Sequence, residues 1–190
     1  MQQLVVASGN AGKIKEISEI LKAKYEVLPM SEVGFTADIE EDGDTFYKNA
    51  LKKAKTVSEA LGVDVLADDS GLCVDALSGA PGVYSARFSG KHGDDAANRA
   101  KLLSVLDGEK NRRAKFVSVV VIYKKNGEIV TGYGETHGTI DVKETGTNGF
   151  GYDSVFVSDD LNKSFGLATD AEKNSVSHRY RALIDLLGHL

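Results

Sequence analysis

A short apolar run, Leu4-Val5-Val6-Ala7, stops at Ser8-Gly9-Asn10-Ala11-Gly12 and gives way to a helical repeat. From Lys13 to Lys24 the apolar residues Ile14, Ile17, Ile20 and Leu21 recur at helical spacing, and Tyr25 to Met30 reads as a second strand. Strand, glycine turn, helix, strand is the opening of a βαβ unit, and it commits the chain to the α/β class. The pattern begins within Met1 to Ser8, with no basic segment and long apolar run ahead of it.

The rest of the chain supports this reading. Asp44 and Thr45 can cap a helix striped by Phe46, Ala50, Leu51, Ala54, Val57 and Leu61 and stopped by Gly62. Val63 to Ala67 reads as a buried strand running into Asp68-Asp69-Ser70-Gly71. Ala96 to Leu106 reads as a helix. Phe116 to Tyr123 and Glu128 to Tyr133 flank Lys125-Asn126-Gly127, a hairpin signal. Gly138 to Val142 and Tyr152 to Val157 read as further strands, and Ser177 opens a last helix carrying Tyr180, Leu183, Ile184 and Leu187. Parallel βαβ connections together with a hairpin predict a mixed sheet. With no repeat, no linker and only two prolines, the 190 residues suit one domain, 1–190.

Charge and cysteine usage exclude several functions. The net charge is -5, so the basic stripe expected of a duplex-binding protein is missing. The single cysteine, Cys73, can form neither an internal disulfide nor a cysteine-rich metal site, which suits a reducing interior. No stretch reaches the ~20 apolar residues of a membrane span, so a cytoplasmic location is expected.

Six segments can carry chemistry. Ser8-Gly9-Asn10-Ala11-Gly12-Lys13 places backbone N–H groups and a lysine at the positive end of a helix, where phosphates bind. It is not a Walker loop, because two residues separate its glycines and Ile14 follows the lysine. A plain β-to-α turn accounts for it equally. Asp68-Asp69 puts adjacent carboxylates after an apolar strand, which suits a divalent cation shared with substrate phosphates, or a helix cap or solvated turn. Glu40-Glu41-Asp42-Gly43-Asp44 carries four acids in five residues, either a solvated loop or the source of a second metal ligand. Asn49, Lys52 and Lys53 lie on the second helix, where lysines often only face water. Gly149-Phe150-Gly151-Tyr152-Asp153 clears space around an aromatic ring that can stack on a base or simply pack. Lys173-Asn174-Ser175-Val176-Ser177-His178-Arg179 puts an arginine in a first helical turn, where it opposes the helix dipole unless an acceptor faces it. His92, His137 and His189 show no metal-ligand spacing.

Taken together, and joined by Gly79-Ala-Pro-Gly-Val-Tyr-Ser-Ala-Arg87, these motifs resemble, in order and nearly end to end, the inosine triphosphate pyrophosphatase family of non-canonical purine nucleotide hydrolases. The resemblance implies an elongated α/β fold: a long twisted mixed sheet flanked by helices, in two lobes with a central cleft that holds the site. It implies a homodimer that uses Mg²⁺ to hydrolyse ITP, dITP or XTP to the monophosphate and pyrophosphate. Ser8, Gly9, Asn10, Ala11, Gly12 and Lys13 would hold the triphosphate, assisted by Lys53. Glu41 and Asp69 would bind the metal. Asp69 would be the base, with Asp68 and Lys13 also catalytic and Ser70 contacting substrate. Phe150, Gly151, Tyr152 and Asp153 would hold base and sugar, and Lys173, His178 and Arg179 would contact the purine. The chain departs from the family at Lys48, where Glu is usual, and at Ser154, where Pro is usual. Two rival readings are a Maf-like pyrophosphatase acting on dTTP or UTP and a non-catalytic nucleotide sensor.

Overall fold

A computed structural model of the chain describes residues 2–190; Met1, the first residue of the expected opening strand, lies outside the described residues. Seven strands form one mixed sheet in the order β2-β1-β3-β4-β5-β6-β7. The strands are β1 (Gln2–Val6), β2 (Tyr25–Pro29), β3 (Val65–Val74), β4 (Arg113–Tyr123), β5 (Ile129–Ile140), β6 (Phe156–Ser158) and β7 (Lys163–Ser164). The helices are α1 (Ala11–Leu21), α2 (Phe46–Leu61), α3 (Asp95–Val105), α4 (Asp170–Val176) and α5 (His178–Leu187). β1 pairs in parallel with β2 and β3, whereas β6 pairs antiparallel with β5 and β7. The α/β class and the mixed sheet are therefore as the sequence predicts.

The chain divides into two compact units. The first comprises the residues up to Asp69, Ser118–Gly134 and Arg179–Leu190; the second comprises Ser70–Val117 and Glu135–His178. In the first unit, strand alternation sorts side chains onto two faces. Leu4, Val6, Leu66, Val120 and Ile122 pack with Ile17 and Leu21 of α1 and Ala182, Leu183 and Leu186 of α5. Val5, Ala7, Val65, Ala67, Val119 and Val121 point the other way, onto Ala50, Ala54 and Val57 of α2. The second unit has its own core of Leu72, Leu102, Leu106, Phe116, Ile140, Phe156 and Phe165, with the three phenylalanine rings in mutual contact.

Local chemistry explains the helix ends. Asn10 caps α1, Thr45 caps α2 and Asp94 caps α3, each side chain accepting a backbone N–H three residues on. Gly62 ends α2 with φ 69°, a conformation that favours glycine. Thr169 and Glu172 form a capping box at the start of α4. The Lys124–Glu128 turn closes on a Gly127 N–H to Lys124 O bond, with Gly127 at φ 88°.

Three expectations need correction. β3 does not stop at Ala67 but runs on through both aspartates to Val74. The segments predicted as two strands, 128–133 and 138–142, belong to one continuous β5, Ile129–Ile140. Much of Tyr152 to Val157 is a 3₁₀ turn, Asp153–Val155, ahead of the short β6. Among the described residues no helix is long and apolar enough to cross a membrane.

Candidate active site

The consequence of extending β3 through Asp68 and Asp69 is that the two carboxylates face opposite ways. Asp68 shares its face with Leu66, toward α1 and α5; Asp69 shares its face with Ala67, toward α2.

On the α1 and α5 side, Asp68 is 1% exposed and saturated with donors. Lys13 Nζ lies 2.8 Å from its Oδ2, Ser118 Oγ donates to Oδ1 at 2.5 Å, and Arg179 donates to Oδ2 at 3.2 Å. Arg179, itself 1% exposed, also donates to Glu16. Burial alone would raise the Asp68 carboxyl. The charges of Arg179 and Lys13 and the hydrogen bonds from Lys13 and Ser118 outweigh it and hold Asp68 well below the usual carboxylate range.

On the α2 side the balance reverses. Asp69 is pushed up to about 6, first by burial and further by the charge of Glu41, against the opposing pull of Lys53 and Lys13 and a hydrogen bond from Asn49. Glu41 lies within hydrogen-bonding reach of Asp69. Burial works against its charge too, but Lys53 and Lys13 keep its carboxyl below the usual value. Lys53 Nζ donates to Glu41 Oε2 at 2.9 Å and to the Asp68 backbone oxygen at 2.8 Å. Two neighbouring carboxylates thus differ in kind, one locked in its ionised form and one poised near neutrality, which is the signature of divided acid–base roles.

The glycine turn lies beside this pair. Ala7 N–H donates to Leu66 O, bringing the end of β1 alongside β3. Ser8 Oγ accepts from Asn10 N–H at 3.1 Å, and Asn10 Oδ1 accepts from Lys13 N–H at 3.1 Å. Ser8 to Lys13 is therefore a capped helix N-terminus carrying the ammonium that meets Asp68, the arrangement expected of a polyphosphate cradle.

The donor set also fits a hard divalent cation. Half-buried Glu41 and buried Asp69 lie within reach of each other, and a cation between them would relieve the opposition of their charges. Among the described residues no three His, Cys, Asp or Glu side chains form a complete cage.

The second unit carries a different cluster. Lys173 is 4% exposed, with its Nζ 2.5 Å from Asp153 Oδ2 and 4.6 Å from the centre of the Phe150 ring. Phe150 N–H donates to the same Asp153 oxygen at 3.0 Å. Gly149, at φ 74°, passes so close to the Asp153 carboxylate that a side chain there would collide with it. Asp95 and Arg99 of α3 hold the backbone of Gly151, and Tyr152 donates its hydroxyl to Ser85 O at 2.7 Å. His178 is buried and stacks on Phe116 at 4.8 Å. Ser70, also in this unit, is half-buried on β3.

The structure therefore gathers Lys13, Glu41, Lys53, Asp68, Asp69 and Arg179 in the first unit and Phe150, Asp153 and Lys173 in the second. Glu16 and Ser118 lie outside the candidate segments of the sequence, and Gly43 and Asn49 lie inside them without an assigned role. The signal for three of them is a polar residue at an apolar position. Glu16 precedes Ile17 on α1, Asn49 lies one turn before Lys53 on α2, and Ser118 interrupts the run Phe116 to Tyr123. Of the two departures, Lys48 pairs with Asp44 at 2.6 Å on an exposed turn, and Ser154 buries an Oγ with no hydrogen-bond partner among the described residues.

An α/β sheet with a capped helix N-terminus, two lysines and a carboxylate poised near neutrality gathered at β1 and β3 defines an enzyme of phosphate-anhydride chemistry. Comparison with known proteins narrows this class. A model of the Ham1 family matches residues 4–189, and the chain belongs to that family. It is 49% identical over 185 residues to the dITP/XTP pyrophosphatase of Desulforamulus reducens, covering 95% of this chain and 92% of that one. It is 44% identical over 199 residues to the dITP/XTP pyrophosphatase of Clostridium perfringens, covering 100% and 98%. Among solved structures, the Ham1 protein of Staphylococcus aureus superposes with a TM-score of 0.87 at 39% identity, covering 99% of this chain and 97% of that one. A HAM1 protein from Coxiella burnetii gives 0.88 at 36% identity, with both chains fully covered.

Proposed function

We propose that this enzyme hydrolyses non-canonical purine nucleoside triphosphates (ITP, dITP and XTP) to the monophosphate and pyrophosphate, clearing them from the nucleotide pool. The observation that carries the mechanism is the placement of the carboxylates: Asp68 held by Lys13, Ser118 and Arg179 on one face of β3, and Asp69 beside Glu41 on the other.

In this reading Ser8 to Lys13 bind the triphosphate through backbone N–H groups and the Lys13 ammonium. Glu41 and Asp69 are the residues that would hold Mg²⁺. The metal, when bound, offsets charge on the phosphate oxygens. Lys53 keeps Glu41 ionised and fixes it to the backbone at Asp68. Asp69 accepts a proton from the water that attacks the α-phosphorus, and pyrophosphate departs as the bond to the β-phosphate breaks. Asp68 is a poor proton acceptor, since three donors hold its charge; its part is to orient Lys13.

Base and sugar are assigned to Phe150, Gly151, Tyr152 and Asp153, with Ser70, Lys173 and His178 as further contacts. Glycines beside Phe150 and the ammonium over its ring support a stacking role. Selectivity follows from the six position of the base, where hypoxanthine and xanthine carry an acceptor and adenine a donor. A site that offers donors there leaves buried groups unpaired against adenine. Arg179 is assigned to that edge, although in the structure its guanidinium is on Glu16 and Asp68. If it reads the base, Arg179→Ala narrows the ITP-to-ATP ratio; if it serves Asp68 alone, both substrates lose rate equally. A homodimer in the cytoplasm completes the reading.

Incubation with Mg²⁺ and each of ITP, dITP, XTP, ATP, GTP and dTTP tests the proposal. Pyrophosphate and monophosphate from the first three are expected. Orthophosphate release or a pyrimidine preference, as for a Maf-like enzyme, would overturn it. So would binding without turnover; a sensor has no need of Glu41 and Asp69 on one side of a strand.

A further inference from the structure

We propose that Asn49 is a positioning residue that sets the spacing between Glu41 and Asp69; the proposal rests on the reading of those two carboxylates as the metal-binding pair. Asn49 is 1% exposed on α2. Its Oδ1 accepts the Gly43 N–H at 2.7 Å, and its Nδ2 donates to Gly43 O at 3.4 Å and to Asp69 Oδ2 at 3.0 Å. A primary amide offers one acceptor oxygen and two N–H donors, and all three contacts use them. Gly43 lies two residues after Glu41, so one planar group ties the loop carrying the first carboxylate directly to the second.

The chemistry of the link suits that task. A lysine in this place would neutralise Asp69 and compete with a cation. A carboxylate would add to the repulsion. An amide orients Asp69 and holds the loop with no net charge. Lys53, one turn further along α2, pins Glu41 itself. α2 therefore presents two successive inward polar residues, one for the loop backbone and Asp69, the other for the Glu41 side chain.

Gly43 supplies an independent observation. A Cβ there would lie 2.6 Å from Asn49 Oδ1 and 2.9 Å from Lys48 Cβ. The loop can approach the amide this closely only because residue 43 has no side chain. The same link can thus be disturbed from either end, by shortening the amide or by pushing the loop away from it.

The test compares the wild type with Asn49→Ala and Gly43→Ala. Calorimetry measures Mg²⁺ binding in the presence of a non-hydrolysable ITP analogue, steady-state assays give the half-saturating Mg²⁺ concentration, and circular dichroism gives Tm. Residues that orient metal ligands typically contribute about 10–100-fold in metal affinity. Both variants should therefore need about 10–100-fold more Mg²⁺, with KM for ITP at saturating Mg²⁺ little changed. A lowered Tm with unchanged Mg²⁺ affinity in either folded variant would make Asn49 a structural residue and overturn the proposal. Should Asn49→Ala fail to fold, Gly43→Ala, which keeps the amide, decides alone. A wild type whose nucleotide binding and turnover ignore Mg²⁺ would instead remove the metal reading beneath the proposal, and that control separates the two failures.

Discussion

Adjacent residues of a strand face opposite sides, and at Asp68-Asp69 this alternation converts one dipeptide into two chemistries. Burial makes Asp69 a liability to the fold. Its folded carboxyl titrates at about 6, above the unfolded value of about 3.9. Between those values the native state binds more protons than the unfolded chain, so this group's contribution to stability falls as pH rises. Asp69→Asn cannot ionise. In chelator, its Tm should exceed that of the wild type at pH 8 and approach it only below the unfolded value, at about pH 3, while turnover with Mg²⁺ drops by about 10²–10⁴. Equal Tm values at pH 8 would show that Asp69 carries no unfavourable charge. Much of this was legible at the level of residue type. The motifs pointed to Glu41, Asp69, Lys13 and Lys53, and the structure brings those four together. Its distribution of charge was not legible. Whether Asp68 or Asp69 holds a proton depends on Ser118 and Arg179, which lie 50 and 111 residues from Asp68 in the chain.

Elements with an apolar period were readable, and those built on glycine or charge were not. α1, α2 and α3 follow their stripes and caps. The sequence pattern divides β5 in two because Gly132, Gly134, Thr136 and Gly138 occupy its buried positions, where a strand pattern would show apolar side chains. Those glycines exist for close approach. A Cβ on Gly132 would meet the Ala182 carbonyl oxygen and lie 2.6 Å from Leu186, both on α5. α4 leaves no helical signature in the sequence, because its seven residues, Asp-Ala-Glu-Lys-Asn-Ser-Val, offer a capping box but almost no stripe. The glycine argument gives a direct check. Gly132→Ala should push α5 off the sheet and lower stability by about 1–3 kcal/mol, the usual penalty for overfilling a packed contact. Urea denaturation followed by circular dichroism measures it. An unchanged midpoint would mean that α5 does not need the bare backbone of residue 132.

Across the whole molecule, acid should unfold this protein chiefly through one group. Carboxyls held below their ordinary values include the exposed Asp42, Asp44, Asp159 and Glu128, the half-buried Glu41 and Glu172, and the buried Asp68. The exposed ion pairs are screened by solvent and contribute little. Asp68 is different, because protonating it leaves Lys13 and Arg179 facing a neutral group inside the first unit. A lowered folded value gives stability that is present above the unfolded pKa, about 3.9, and that is lost as pH falls from there toward the folded value. Asp68→Asn removes that contribution at every pH. It should therefore be less stable than the wild type by about 3–5 kcal/mol at pH 7, the scale for deleting one partner of a buried ion pair. As pH drops below about 4 the wild type should lose ground while the variant stays flatter, so the gap between them narrows. Urea titrations at pH 7, 5, 4, 3 and 2.5 would show this. A gap constant from pH 7 to 2.5 would mean that the Asp68 cluster is held by packing and hydrogen bonds alone, and that acid acts on the protein elsewhere.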